Sequence, residues 1–392
     1  MTRFARELPA SGIRKFFDLA NVIQSQGHTV HRLDIGRPVW NVPKGAIQLL
    51  SEAMQNGHYH YIANRGNSHL RTVLSEDLFK KTGKKFDTEN EFIITTGASE
   101  GLAMCSLALL KEGDEMIIPE PAWPHYKATA ILAGATPVTI DLSPANDFQL
   151  NPELVEKHIT PKTKILVLTN PSNPTGAVQK RSVLEALAAL AEKHGFYILA
   201  DEVYDHFVYD ETEFSSMAEI MKDSDKLIYL NSLSKTYSMT GWRIGYICSD
   251  AQVSDAMNRV HQYLTVCGVS TVQFAAAHLL ENIDESNYVA DMLGEFSKRR
   301  AVWISDSDKS NNFAYSSPQG AFYFFPEFDF KGMDSHKFCE YMLKEYHVSM
   351  VPGEVFGESF KNHVRISFSG SVDTQEQAKS IIMSTLAKSE VS

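Results

Sequence analysis

The chain has 392 residues, of which 43% are hydrophobic and 22% charged, and it carries a net charge of −11 at neutral pH. Those figures exclude disorder, a collagen-like repeat and a small disulfide-stapled scaffold, and the length calls for more than one hydrophobic core. The acidic balance argues against a protein built to grip nucleic acid or anionic lipid, but not against one that holds a small anion locally.

In chain order, residues 1–20 are interrupted by Arg3, Arg6, Glu7, Arg14, Lys15 and Asp18, so no secretory signal is expected. A helix is expected near Ile13–Gln26, and the first 45 residues are expected to pack against a module formed late in the chain. From Phe92 onward short apolar runs alternate with helical stretches: Phe92–Thr95, Glu115–Ile118, Thr136–Asp141, Lys164–Thr169, Tyr197–Asp201, Leu227–Asn231 and Ile244–Cys248. This is the pattern of a parallel sheet with crossover helices, its strands apolar throughout because both faces are covered. Lys180–His194 reads as one such helix, with Leu184, Leu187, Leu190 and Ala191 on one face and Gly195 as its stop.

After about Asn282 the texture changes. A long charged helix over Glu285–Lys309 leads to short strands near Ala321–Phe325, Val348–Val351 and Val364–Phe368, with helices near His336–Tyr346 and Asp373–Ala387. The reading is a large α/β domain over 46–284 and a smaller, discontinuous α+β domain made of 1–45 and 285–392. Four scattered cysteines (Cys105, Cys248, Cys267, Cys339) form no CxxC pair and no metal-ligand spacing, which predicts buried free thiols, no metal site and a reducing compartment. No run of some 18 apolar residues occurs, so no membrane span is expected and the expected location is the cytoplasm.

Several strands end in a motif rather than a plain turn, and open α/β sheets bind ligands outside the carboxyl ends of their strands. Ser232-Leu233-Ser234-Lys235 follows a strand, with Arg243 shortly after in Gly241-Trp242-Arg243-Ile244-Gly245. A lysine with a lowered pKa forms a Schiff base with a carbonyl group, and two serines and an arginine are what a phosphate dianion needs. Asp201-Glu202-Val203-Tyr204 ends another strand; a buried carboxylate there can hold a ring nitrogen protonated and make that ring an electron sink. Tyr204 and Asn173, the latter in Asn170-Pro171-Ser172-Asn173-Pro174-Thr175-Gly176, can both reach an oxygen on the same ring. Gly97-Ala98-Ser99-Glu100-Gly101 closes a strand and opens a helix, where small residues let backbone N–H groups approach a phosphate. It fits neither GxGxxG nor GxxxxGK[ST].

Taken together these segments resemble the fold-type-I, pyridoxal-phosphate-dependent aminotransferases, class I/II, of the aspartate aminotransferase superfamily. The resemblance runs from Leu33-Asp34-Ile35-Gly36-Arg37-Pro38 to Val364-Arg365-Ile366-Ser367. It implies a mixed, mostly parallel seven-stranded sheet sandwiched by helices in the large domain, beside the smaller α+β domain. It also implies pyridoxal 5′-phosphate as cofactor and a ping-pong exchange of an amino group between an L-amino acid and a 2-oxo acid. By this resemblance Lys235 is the lysine that bonds the cofactor, Asp201 the partner of its ring nitrogen, and Tyr204 with Asn173 the pair on its ring oxygen. Trp123 is the stacking aromatic, and Ala98, Ser99, Ser232 and Arg243 form the phosphate cup. Tyr61 reaches the phosphate of a neighbouring subunit in a homodimer with sites at the interface. Arg365 clamps the substrate α-carboxylate, with Gly36 and Asn173 beside it and Trp123 bordering the substrate.

Two segments depart from the family pattern near the expected substrate side chain: Arg37, followed by Val39-Trp40, and Thr265–Ser270. Arg37 favours an acidic substrate, whereas Trp40, Tyr61, Trp123, Tyr126 and Phe322 permit an aromatic or bulky one, and the sequence leaves both open. The alternative activity is another pyridoxal-phosphate reaction on the same fold, such as a C–S β-lyase, a decarboxylase, a cyclase or an oxidase.

Overall fold

The computed structural model describes residues 8, 10–283, 285–304 and 312–388. Its strands in chain order are β1 (His31–Arg32), β2 (Phe92–Thr95), β3 (Glu115–Glu120), β4 (Thr136–Asp141), β5 (Thr163–Thr169), β6 (Tyr197–Asp201), β7 (Leu227–Ser232) and β8 (Gly245–Cys248). Six short ones follow: β9 (Phe313–Ala314), β10 (Tyr323–Phe324), β11 (Glu327–Phe328), β12 (Val348–Ser349), β13 (Val351–Pro352) and β14 (Val364–Ser367). The main helices are α1 (Gly12–Ser25), α2 (Ala46–Gln55), α3 (Ser68–Thr82), α4 (Ala98–Leu109), α5 (His125–Leu132) and α6 (Arg181–His194). They continue as α7 (Ala251–Leu264), α8 (Ser270–Asn282), α9 (Glu285–Ala301), α10 (Ser335–Tyr346) and α11 (Val372–Ala387).

Strands β2 to β8 form one sheet in the order β2-β8-β7-β6-β5-β3-β4. Only β8 runs antiparallel to its neighbours, so the sheet is mixed and mostly parallel. Strand alternation sends successive residues to opposite faces. Leu166, Leu168, Ile198 and Ala200 pack into a core with leucines of α3 and α6 and alanines of α8. Ile165, Val167 and Leu199 join α4, α5 and α7 on the other face. Truncating a fully buried leucine such as Leu187 to alanine costs about 2–5 kcal/mol.

Pairing register sets where the strand ends fall. Thr169 lies opposite Asp201, Asp201 opposite Leu230, and both Thr95 and Ser232 opposite Gly245. The carboxyl ends of four strands therefore finish level, along one edge of the sheet.

A further core gathers Phe16 and Ala20 of α1, the run Phe322–Phe324, Phe338 and Met342 of α10, and Ala378 and Ile382 of α11. Val203, Tyr204, Phe207 and Tyr209 join it directly from the end of β6. The segment after Asp201 thus ties the large sheet to this core. Strand β1 pairs parallel with β12, which places the early residues beside the late ones.

The structure corrects some boundaries. The expected strand Val348–Val351 is two: β12 pairs with β1 and β13 pairs antiparallel with β14, with Met350 between them. Ala321–Phe325 shrinks to two residues, because Ala321 adopts a left-handed φ of 54° that no strand accommodates. The charged helix α9 ends at Ala301, and residues 305–309 of that expectation lie outside the described residues. All four cysteines are free and buried. Among the described residues no helix is long and apolar enough to cross a membrane.

Candidate active site

The level strand ends open onto a cavity of about 320 Å³. Ala98 and Ser99 reach it from the start of α4, Trp123 from the loop after β3, and Asn173 from the loop after β5. Asp201 and Tyr204 enter from β6, and Ser232, Lys235 and Arg243 from the turns around β7. Gly36, Arg37, Tyr323 and Arg365 close it from the other side. The structure therefore brings together every residue expected from one chain. The exception is Tyr61, which is 87% exposed and does not line the cavity.

Lys235 sits in a single helical turn, Leu233–Thr236, capped by Ser232, whose side chain accepts from the Ser234 N–H. The lysine Nζ donates to the Gly36 carbonyl oxygen at 2.7 Å and lies 5.6 Å from the Tyr204 ring centroid. Desolvation, reinforced by the charges of Arg365 and Arg243, lowers this amine to about 8, with Asp201 opposing. A lowered amine is more often neutral, and hence nucleophilic, near physiological pH.

Asp201 is buried, accepts from the Tyr126 hydroxyl at 2.7 Å and from the Val203 N–H at 3.3 Å, and is pushed up to about 6 by desolvation. Tyr126 also shares a 2.8 Å hydrogen bond with the Thr169 hydroxyl. Tyr204 pairs with the Tyr323 hydroxyl at 2.9 Å, and burial holds its phenol well above the usual range. Trp123 lies stacked on His125, ring centroids 3.9 Å apart.

Arg365 is the most telling group. Its side chain is 2% exposed, yet its only hydrogen-bond partners among the described residues are the Asn173 side-chain oxygen (3.1 Å) and the Asp34 carbonyl oxygen (3.0 Å). The Asp34 carboxylate is taken by Arg32 at 2.8 Å on both oxygens. The Arg365 Nε has no partner, and the guanidinium carbon lies 4.5 Å from the Tyr323 ring centroid. A buried cation without a counter-ion is costly, so the site is built for an anion from outside the chain.

A second anion cradle lies at the other end. Helix α4 has no side-chain cap, which leaves its N-terminal turn open onto the cavity. Arg243, itself held at a left-handed φ of 57°, lies flat on Gly97; a Cβ there would stand 2.3 Å from the Arg243 Nη2. A Cβ on Gly245 would meet the Ala98 nitrogen at 2.6 Å. These two glycines let a guanidinium and a helix end converge, as a phosphate monoester requires. With an amine for a carbonyl and a carboxyl for a ring nitrogen between the cradles, the donor set fits pyridoxal 5′-phosphate.

Sequence reasoning overlooked Thr169 and Tyr323, and took Tyr126 only as a pocket aromatic. Thr169 carried the strand-end signal already used for its neighbours; nothing in the run Ala321–Phe325 singles out Tyr323. Two expectations about the substrate region change. Phe322 belongs to the core and Trp40 packs half-buried against it, and neither lines the cavity. None of Thr265–Ser270 lines the cavity either, because Thr265 bonds Glu100 at 2.5 Å and Cys267 bonds Gln273 through its carbonyl.

The family described as aminotransferase class I and II matches residues 30–382. The chain is 36% identical to the aspartate aminotransferase of Pyrococcus abyssi, over 94% of this chain and 93% of that one. It is equally 36% identical to aromatic-amino-acid aminotransferase 2 of Thermococcus litoralis, with the same coverage. The crystal structure of aspartate aminotransferase from Thermotoga maritima superposes with a TM-score of 0.91 at 33% identity, covering 99% of this chain and 100% of that one.

Proposed function

This chain belongs to the class I and II aminotransferase family and is a pyridoxal 5′-phosphate-dependent aminotransferase, and from that premise we propose how its residues divide the work and which substrates they take. When bound, the cofactor supplies the carbonyl that takes up the amino group and the ring that spreads the charge left at the substrate Cα.

Arg243, Ser232, Ser99 and the Ala98 end of α4 would hold the phosphate, and Tyr61 would add its hydroxyl from a second copy. Trp123 would stack on the ring, Asn173 and Tyr204 would hold its oxygen, and Asp201 would keep a proton on its nitrogen. Tyr126 steadies the Asp201 carboxylate. Lys235 would hold the cofactor's carbonyl carbon, and its amine, when free and neutral, would take the proton from the substrate Cα. Arg365, with Gly36 and Asn173, fixes the α-carboxylate and so aims the Cα–H bond at that amine. The cycle is ping-pong, in two half-reactions. The buried, unpaired Arg365 beside the lowered Lys235 amine is the observation that carries this reading.

A homodimer is supported by large apolar side chains left exposed: Ile47 is 73% exposed, Tyr61 87% and Tyr263 86%. In this reading residues 46–284 form the cofactor-bearing domain, and 1–45 with 285–392 the smaller one that closes the site. A cytoplasmic location is in keeping with four free thiols.

For the substrate, an acidic amino acid and its 2-oxo acid fit best. Arg37 lines the cavity and has no ion pair among the described residues, whereas only Trp123 and Tyr126 of the five candidate aromatics line it. Relatives at equal identity are named for aspartate and for aromatic amino acids, so Arg37 carries the choice. The test is a screen of amino acids for conversion of the bound cofactor to its amine form. Acidic donors should react fastest, and Arg37→Gln should lower that preference; fastest reaction with aromatic donors, unchanged in Arg37→Gln, overturns the substrate assignment.

A further inference from the structure

Away from the cavity, helices α3 and α8 pack side by side. His69, in the first turn of α3, and His278, near the end of α8, turn toward Glu281 one turn further along α8. The His69 Nε2 lies 3.4 Å and the His278 Nδ1 3.9 Å from the same carboxylate oxygen, Glu281 Oε2. The two imidazoles meet edge to face with centroids 5.2 Å apart, and the three candidate ligand atoms lie within 4.8 Å of one another. Among the described residues no other group of histidine, cysteine and carboxylate side chains converges this way.

We propose that His69, His278 and Glu281 form a surface site for a divalent transition-metal ion, zinc above all. Bonds of roughly 2.0–2.1 Å to nitrogen and carboxylate oxygen set the edges of a tetrahedron near 3.4 Å. One observed edge has that length, and the other is half an ångström longer. All three side chains are partly exposed and free to close the difference, which leaves a fourth corner to water. Two nitrogens and one oxygen suit zinc and its neighbours rather than calcium or magnesium, which take oxygen shells. At 3.4 and 3.9 Å the two ring nitrogens stand too far from that oxygen for good hydrogen bonds, so direct contact alone serves them poorly. A single dication uses both rings in their neutral form. The last turn of α8 contains no basic residue and its carbonyl end favours a cation. Spacing in the sequence shows only the His278 and Glu281 pair, one turn apart; His69 comes from a distant helix.

A bound ion would staple α3 to α8 beside Gln273, which accepts from the Asn67 N–H at 2.8 Å and donates to the Cys267 carbonyl at 2.8 Å. The test is titration of the metal-free holoenzyme with zinc by calorimetry, and with cobalt by its visible tetrahedral band. One equivalent should bind, thermal unfolding should shift upward, and His278→Gln or Glu281→Gln should weaken affinity roughly tenfold or more while aminotransfer stays unchanged. Absence of a saturable equivalent, or binding that survives in both variants, overturns the proposal.

Discussion

The Lys235 amine donates to the carbonyl oxygen of Gly36 across 2.7 Å, joining the turn after β7 to the loop that follows β1. That bond parks the amine under the glycine on which Arg365 also closes: a Cβ on Gly36 would stand 3.3 Å from the Tyr323 hydroxyl and 3.9 Å from the Arg365 Nη2. Lysine and arginine thus share one small patch of backbone, and the Arg365 charge adds to the desolvation that lowers the Lys235 amine.

The amine's titration gives the first prediction. Its value is lowered to about 8, so it is protonated and unreactive below that pH and neutral above. The rate at which cofactor-free protein takes up pyridoxal 5′-phosphate, followed by absorbance after rapid mixing, should rise through about pH 8. A rise delayed to the ordinary lysine range would show that the cavity does not desolvate the amine.

Arg365→Ala removes the buried cation and leaves the Asn173 oxygen without its donor. Losing one partner of a buried charge pair costs roughly 2–5 kcal/mol. The expected result is a kcat/KM for amino acids lower by about 100-fold or more, with cofactor affinity almost unaffected. Steady-state kinetics together with a cofactor titration separate the two effects.

Gly97→Ala should act at the opposite end. The new methyl group would displace the Arg243 guanidinium, and alanine is strained by about 1–3 kcal/mol at the Gly97 φ of 73° and ψ of 166°, a region that glycine alone enters readily. Cofactor dissociation should quicken while the KM for amino acid changes little, as measured by loss of cofactor on gel filtration.

Glu202 governs stability rather than chemistry. It is buried behind Asp201, accepts from the Ser216 hydroxyl and the Met217 N–H, and desolvation raises it from 4.5 to about 8. Between those values the folded chain keeps a proton that the unfolded chain has lost, so this group makes stability fall as pH rises through that window. Denaturant midpoints measured from pH 5 to 8 should show the decline, and Glu202→Gln should flatten it.

Much of this site was legible in the sequence, because the motifs NPSNPTG, DEVY and SLSK each stand at the end of an apolar run, and parallel register brings such ends level. Lys235, Asp201 and Asn173 needed only that rule. The contacts that set their behaviour were not legible. Tyr126 reaches Asp201 from a helix after a different strand, and Tyr323 reaches Tyr204 from a two-residue strand far down the chain. Periodicity carries no record of such pairings. Nor could the sequence say that Asp34 spends its carboxylate on Arg32 and so leaves Arg365 without an anion. The split of Val348–Val351 into two strands with different partners is of the same kind, since an apolar run does not say which neighbour each half will bond.

The central claim is that Lys235 is the residue covalently engaged by the cofactor. Borohydride reduction of the purified holoenzyme, followed by peptide mapping, tests it most directly. One cofactor-derived label per chain is expected on Lys235, absent in Lys235→Ala; a label on another lysine, or a label that persists in that variant, would contradict it.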